Sequence, residues 1–396
     1  MDNKNADLQP VLRAALKLVA AEGLKGLSLR PLAELLDTTA PALIRRFGSK
    51  DELVAALIDI AIAEDGAFLD GWLARIRALD VRNGATMVEV ADAVLSDLAG
   101  PEAARTRFYC ELLQAAASRP EIAVPVAAWS TRRRAFWTAA AEGLDLAEAG
   151  DILHGFSIGE AAYGLVLEDV AAYRWLRRLN LRRLCQGLIP PREEAAREMR
   201  EYAVFRAALD DLFGDRAATP PMTEWQAKAA GHISQLIIAE GADAVTHRAI
   251  AARAGLANST LAYHFPKQED LLRAGLDDIV ARVRRATGNT ASDAPPDFNL
   301  TAVQSGRATF ALALAAAHMP SLKAVAADLR RQRGENSVHY YERQYGERVF
   351  DVLACQALSL TAMGWFALEG LQAPSADGGL GFNLAARMRD AAIAGR

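Results

Sequence analysis

The stretch LANSTLAYHFPKQEDLL, residues 256–272, decides how this chain folds, because TTAPALIRRFGSKDELV at residues 38–54 repeats its pattern. A shift of 218 residues superimposes the two without a gap, Leu43 on Leu261, Phe47 on Phe265 and Leu53 on Leu271. The same shift aligns Glu22-Gly23 with Glu240-Gly241, Arg30 with Arg248 and Ala33 with Ala251. Apolar positions are kept while the residues between them change. That is how a duplicated structural unit diverges: its core stays and its surface drifts.

A second register carries the repeat further. A shift of 200 residues aligns AAASRP (115–120) with AAAHMP (315–320), and pairs Asp151 with Asp351, Leu153 with Leu353, Ala162 with Ala362 and Gly164 with Gly364. The registers differ by 18 residues, so the second copy carries a deletion between its front and back parts. The copies join where composition changes, at FGDRAATPPM (213–222), which reads as a linker. The segment before it, 190–213, is charged and reads as a helical connector, and TGNTASDAPPDFN (287–299) reads as a loop within the second copy. Four domains are therefore expected: heads at 1–60 and 222–280, and helical domains at 61–215 and 281–396, the second shorter.

The fold class follows from periodicity. In VLRAALKLVAAEG, Leu12, Ala15, Leu16 and Val19 share a stripe that stops at Gly23, a residue favoured just past a helix end. Period-two alternation and hairpin turn signals are missing, so the chain is expected to be all-α. With 52% hydrophobic and 24% charged residues over 396 positions, the composition is that of a packed globular chain with more than one core. A net charge of −4 excludes broad nonspecific coating of nucleic acid and requires any basic surface to be local. Cys110, Cys185 and Cys355 lack metal-ligand spacing and read as reduced, buried thiols; the polar start MDNKNADLQP carries no leader, so a cytoplasmic location is expected. The apolar run 352–368 contains Gln356, Ser359 and Thr361 and reads as a buried core helix, with no membrane partner.

Each front unit reads as a helix, a short helix, a tight turn, a second short helix and a long helix. In the first copy Ser28 stands to cap a helix with Pro31 in its first turn, and Thr39 to cap APALIRRF. Ser49 and Glu52 have capping-box spacing. Leu32, Leu35, Leu43 and Phe47 are the expected apolar anchors of a helix-turn-helix, whose second helix then presents its other face to solvent. Such a helix fits the major groove.

Both units resemble the DNA-binding region of the TetR family of bacterial regulators. That pattern is a Glu-Gly helix end, Ser/Thr-x-Arg-x-x-Ala, a turn, an Ala-Leu-Tyr-x-His-Phe helix and a Lys-Glu-x-Leu entry into helix four; residues 18–54 and 236–272 match it in order and spacing. The resemblance implies base contacts from Arg30, Ala40, Pro41, Ala42 and Arg46 in the first head, and from Arg248, Asn258, Ser259, Thr260 and His264 in the second. It implies phosphate contacts from Thr39, Arg45, Lys50, Tyr263 and Lys267. The heads depart from the pattern differently. The first has Ile44-Arg45-Arg46 where aromatic and His residues are usual, and the second has PKQED, which loses the capping box and moves its lysine one place early.

Members resembling this unit are about half as long and act as two-fold dimers on palindromic operators. One chain with two heads is therefore expected to be an intramolecular pseudo-dimer on a double-stranded, imperfectly palindromic operator. Its partner helices would come from DILHGFSIGEAAYGLVLED and DVLACQALSLTAMGWFALEG, with Gly155, Gly159 and Gly164 allowing close approach. The resemblance also implies repression relieved by a small-molecule effector in the helical domain, where Phe108, Trp129, Arg133, Trp137 and His154 are the candidate pocket; the other reading of Arg133 is a surface salt bridge. The basic run 174–183 reads as a solvated helix face, the other reading being contact with DNA backbone or an acidic neighbour. The six histidines are dispersed, no nucleophile triad, metal cluster or phosphate-cradling Gly loop stands out, and no cofactor is expected, so an enzyme is the weaker reading. A regulator controlled by a protein partner, or by no ligand, is the other alternative. A pure interaction scaffold would leave the recognition helices without a purpose.

Overall fold

The computed structural model describes residues 2–117, 119–144, 146, 148–213, 222–286, 302–335, 337–339, 342, 349–369, 371, 384 and 387–390. Every regular element among them is helical. The first copy contains α1 (Asp2–Glu22), α2 (Leu29–Leu35), α3 (Ala40–Phe47), α4 (Lys50–Leu79), α5 (Gly84–Ala99), α6 (Ala103–Ala116), α7 (Pro120–Ala140), α8 (Ala149–Leu167), α9 (Ala171–Gln186) and α10 (Arg192–Phe213). The second contains α11 (Glu224–Glu240), α12 (His247–Ala254), α13 (Asn258–His264), α14 (Gln268–Ala286), α15 (Ala302–Ala316), α16 (Lys323–Gln332) and α17 (Val352–Glu369). The helical connector before the join is α10, while the linker at 214–221 and the loop at 287–299 lie outside the described residues.

In the 218-residue register α1–α4 correspond to α11–α14, and in the 200-residue register α6 and α8 correspond to α15 and α17. The deletion thus falls between α14 and α15, in the stretch where the first copy carries the end of α4 and all of α5. Both long head helices run without interruption through the expected head–body boundaries, α4 past residue 60 and α14 past residue 280. Each head is therefore joined to its body by a continuous helix.

The two copies meet on α8 and α17, which pack side by side. A Cβ on Gly159 would collide with the carbonyl of Leu360, and one on Gly364 with the carbonyl of Gly155. Backbone-to-backbone approach of this kind excludes any side chain at the crossing. Gly164 does not take part: it faces Ala99 of α5 and the Tyr173 hydroxyl of α9, because it sits on the side of α8 that turns toward its own copy. The α17 helix is long and apolar enough to cross a membrane, but 89% of it is buried, as expected of a helix apolar all round that forms a core.

A polar network pins the crossing. Arg330 of α16 donates from Nε to Glu160 of α8 at 3.1 Å and from Nη2 to Asn180 of α9 at 2.6 Å. Asn180 also donates to Gln356 of α17 at 3.2 Å. Arg330 and Asn180 are fully buried and Glu160 is 1% exposed. The basic run 174–183 belongs to this buried layer and is not the solvated face expected from its composition. Arg177 pairs with Asp92 at 2.8 Å and with Glu168 at 2.5 Å. Arg183 reaches Asp351 of the second copy at 2.6 Å and Glu198 of α10 at 3.1 Å. Apart from Glu168, which lies just ahead of the run, the acids that neutralise it come from α5, α10 and the second copy.

Candidate nucleic-acid interface

Local chemistry builds both heads. In the first, α2 ends in a turn with Asp37 in the left-handed region at φ 48°. Thr39 then accepts the Ala42 N–H at 3.3 Å and starts α3. Gly48, at φ 91°, ends α3, and the Ser49–Glu52 capping box opens α4 with both of its hydrogen bonds formed. Ser28 occupies the cap position of α2 but makes no side-chain cap hydrogen bond, whereas its counterpart Thr246 accepts the Ala249 N–H at 3.1 Å. Leu32 and Leu43 are buried, but Leu35 is 50% exposed, and Leu36 beside it packs against the core instead.

The second head reaches the same geometry with different residues. Gly255 makes its turn at φ 65°, and Leu261 and Phe265 fill the core. One half of the capping box survives, since Asp270 accepts the Lys267 N–H at 2.9 Å although no Ser or Thr hydroxyl returns the bond. Gln268 donates to the Val245 carbonyl at 2.7 Å, and the His247 ring meets the Phe265 carbonyl. These side chains tie α14 and α13 back onto α12.

On both heads the outer face of the recognition helix is open. Pro41, Ile44, Arg45 and Arg46 are exposed on α3, with Ala40 and Ala42 half-buried beside them. Asn258, Ser259, Thr260, Tyr263 and His264 are exposed on α13. Thr39, Lys50, Lys267, Arg30 and Arg248 are exposed at the margins of those faces. Arg46 lies 5.3 Å from the centre of the Phe47 ring. His264 is held between two aromatic rings, Trp225 at 4.6 Å and Tyr263 at 5.1 Å. Trp225 escapes a repeat-based reading because Asp7 stands at its place in the first copy. Arg30 pairs with Glu34 at 3.1 Å, and Ala252 occupies the corresponding place in the second head. An exposed pair of that kind stabilises by about 0–1 kcal/mol, so Arg30 can exchange Glu34 for a nucleic-acid partner at little cost.

A family model described as bacterial regulatory proteins, tetR family, matches residues 11–57 and again residues 233–274. The chain carries two tetR-family domains. Both matches fall on the heads, which supports a tandem regulator of the TetR type with a duplicated DNA-binding head. Among curated proteins no match to the chain is found.

The helical body lies outside the matched residues. Phe108, Trp129, Arg133, Trp137 and His154 are all buried. Arg133 makes no surface salt bridge: it grips the carboxylate of Asp65 on α4 with two bonds of 2.8 Å. Trp129 donates to the same carboxylate at 2.8 Å and Arg105 approaches it at 3.3 Å. Burial alone would raise the Asp65 carboxyl, but Arg133 and these donors outweigh it and hold it below the usual carboxylate range. His154 faces Ser130 at 3.3 Å and stacks edge-on against Trp365 of the second copy. Burial, reinforced by Arg133 and Arg134, drives its pKa down to about 3, so the ring is neutral at physiological pH. Cys110, Cys185 and Cys355 are buried thiols outside any disulfide, and burial pushes the first two up to about 12. Among the described residues no group of three potential metal ligands occurs.

Proposed function

We propose that this protein is a cytoplasmic one-component repressor that acts as a pseudo-dimer within a single chain. Two non-identical heads would read the two halves of an imperfectly palindromic operator, and a small molecule acting on the helical domains would release it. Base edges fall to Arg30, Ala40, Pro41, Ala42 and Arg46 in one head, and to Arg248, Asn258, Ser259, Thr260 and His264 in the other. Phosphates fall to Thr39, Arg45, Lys50, Tyr263 and Lys267. The domain division at 1–60, 61–215, 222–280 and 281–396 is part of the same proposal.

One observation carries the reading: the interface between copies is built to be heterologous. In the 200-residue register, Arg330 corresponds to Ser130, Glu160 to Leu360 and Gln356 to Phe156. Two first copies paired together would bury two Glu160 carboxylates with no arginine. Two second copies would bury two Arg330 guanidiniums with no acid. Each costs several kcal/mol per uncompensated ion, so the first copy pairs with the second and the heads are always presented as one of each kind.

Gel shift and footprinting on the DNA upstream of the protein's own coding region, at moderate salt, test the proposal. A single protected site with two related but unequal half-sites is expected. A perfectly symmetric site preference, or no specific site, overturns it.

A further inference from the structure

We propose that a cleft between the two heads binds a small amphipathic organic anion and that its occupancy sets the spacing of the heads. The cleft holds about 360 Å³, within the size range of small-molecule sites. Its walls come from four places in the chain: the turn after α1 in the first head, the matching turn after α11 in the second, α6, and α15. A ligand there touches both heads and both bodies together. Phe108, Trp129, Arg133, Trp137 and His154 are not among the residues lining it.

The two copies contribute unequal walls. The α6 side gives Glu111 and Gln114, while the corresponding positions on α15 are Ala311 and Leu314. One side is polar and the other apolar, which suits an amphipathic molecule. The lining acids already have basic partners outside the cleft, Glu111 with Arg107 at 3.7 Å and Glu240 with Arg253 at 3.7 Å. Arg119, exposed at the start of α7, sets the sign of the remaining charge. A carboxylate or sulfonate on a hydrocarbon or aromatic body matches this lining.

The walls are also coupled to the heads. The Leu24 N–H donates to Glu111 at 3.4 Å. Arg107, which pairs with Glu111, donates to the Ala20 carbonyl of α1 at 2.6 Å and to the Ala317 carbonyl of the second copy at 3.2 Å. On the other side Gly241, at φ 89°, lets the second head close on the Gln114 amide, where a Cβ would collide. A molecule inserted among these groups has to favour one separation of the heads over another, which is the differential affinity that control of DNA binding needs.

The binding claim stands on the cleft alone; its effect on DNA rests on the regulator reading. The full chain titrated with 8-anilinonaphthalene-1-sulfonate should show saturable binding, with decanoate competing and decyltrimethylammonium not. Arg119→Glu, a surface change, should weaken the dye at least tenfold with an unaltered thermal melt, Arg119→Lys should retain it, and Gln114→Trp should abolish it. Dye affinity within twofold of wild type in Arg119→Glu, or equal competition by the ammonium, overturns the proposal. On operator DNA the dye should shift the gel-shift midpoint at least threefold in wild type and not in Arg119→Glu. Dye binding that depends on Arg119, with no specific DNA complex under any condition, would leave the site standing and sink the regulator reading.

Discussion

Removing the guanidinium of Arg330 tests how the two copies recognise each other. In Arg330→Met, Glu160 keeps its carboxylate at 1% exposure with its ion-pair partner gone. Asn180 loses the donor to its carbonyl, although its own amide still bonds Gln356. A broken buried ion pair costs about 3–5 kcal/mol, and an orphaned neutral acceptor about 1–3 kcal/mol. Glu160→Leu, the mirror change, should cost about 3–5 kcal/mol by stranding the arginine. In the double variant no buried charge is left, and only the Asn180 carbonyl lacks its donor. It should therefore lie about 1–3 kcal/mol below wild type, far above the sum of the singles.

Urea unfolding followed by far-ultraviolet circular dichroism on all four proteins closes the cycle. A coupling energy of about 3 kcal/mol or more is expected, because each single change strands the other partner's charge. A coupling under about 0.5 kcal/mol would refute the reasoning, since it would mean that the pair is hydrated or unformed. So would an Arg330→Met protein as stable as wild type.

The heads should respond separately to mutation. Arg46→Ala and His264→Ala should each cost about 1–3 kcal/mol on one half-site only, read by fluorescence anisotropy on operators altered in one half; equal losses on both halves would contradict non-identical heads. Gly159→Val should abolish cooperative thermal unfolding or lower the midpoint sharply, because its side chain would displace the Leu360 carbonyl, whereas Gly71→Ala, with open space around the added Cβ, should stabilise by about 0.5–1 kcal/mol. For His154 the folded pKa lies below the unfolded value of 6.5, so its contribution is complete above pH 6.5 and is lost as pH falls toward 3. Stability should decline by up to about 1.4 kcal/mol per pH unit in that window from this ring, and His154→Phe should flatten the slope measured between pH 6.5 and 5.

The heads were legible because their determinants are local. Thr39 caps a helix three residues away and Ser49 does the same, so spacing along the chain carries the geometry. Where the heads use tertiary contacts, the reading weakened. Trp225 supports His264 from another helix, and Leu35 points out although its spacing fits an anchor. The body was harder still. Arg177 is neutralised by Asp92, 85 positions away, and Arg183 by Asp351, 168 away, so a run of arginines looked like solvated surface. Arg133 is a case of the same kind, its partner Asp65 lying 68 positions away on α4. Among the aromatics around Arg133 the structure places the Asp65 carboxylate, which nothing in the local spacing announces.

Fusion changes what an interface between like units can do. In a homodimer each substitution at the two-fold appears twice, so a buried arginine facing the axis must meet either itself or a partner that is also doubled. Here Glu160 changed on one copy and Arg330 on the other, and the pair forms once. The cleft between the heads shows the same freedom, with Glu111 and Gln114 on one wall and Ala311 and Leu314 on the other. So do the recognition helices, where Arg45-Arg46 and Tyr263-His264 occupy equivalent places. These three differences fall at the core crossing, at the cleft and on the exposed face of the recognition helices. The second copy could lose the equivalent of α5 without exposing the crossing, because α8 and α17 meet on a face that α5 does not cover. Divergence that two-fold symmetry would forbid is therefore allowed at every level that a regulator of asymmetric sites would use.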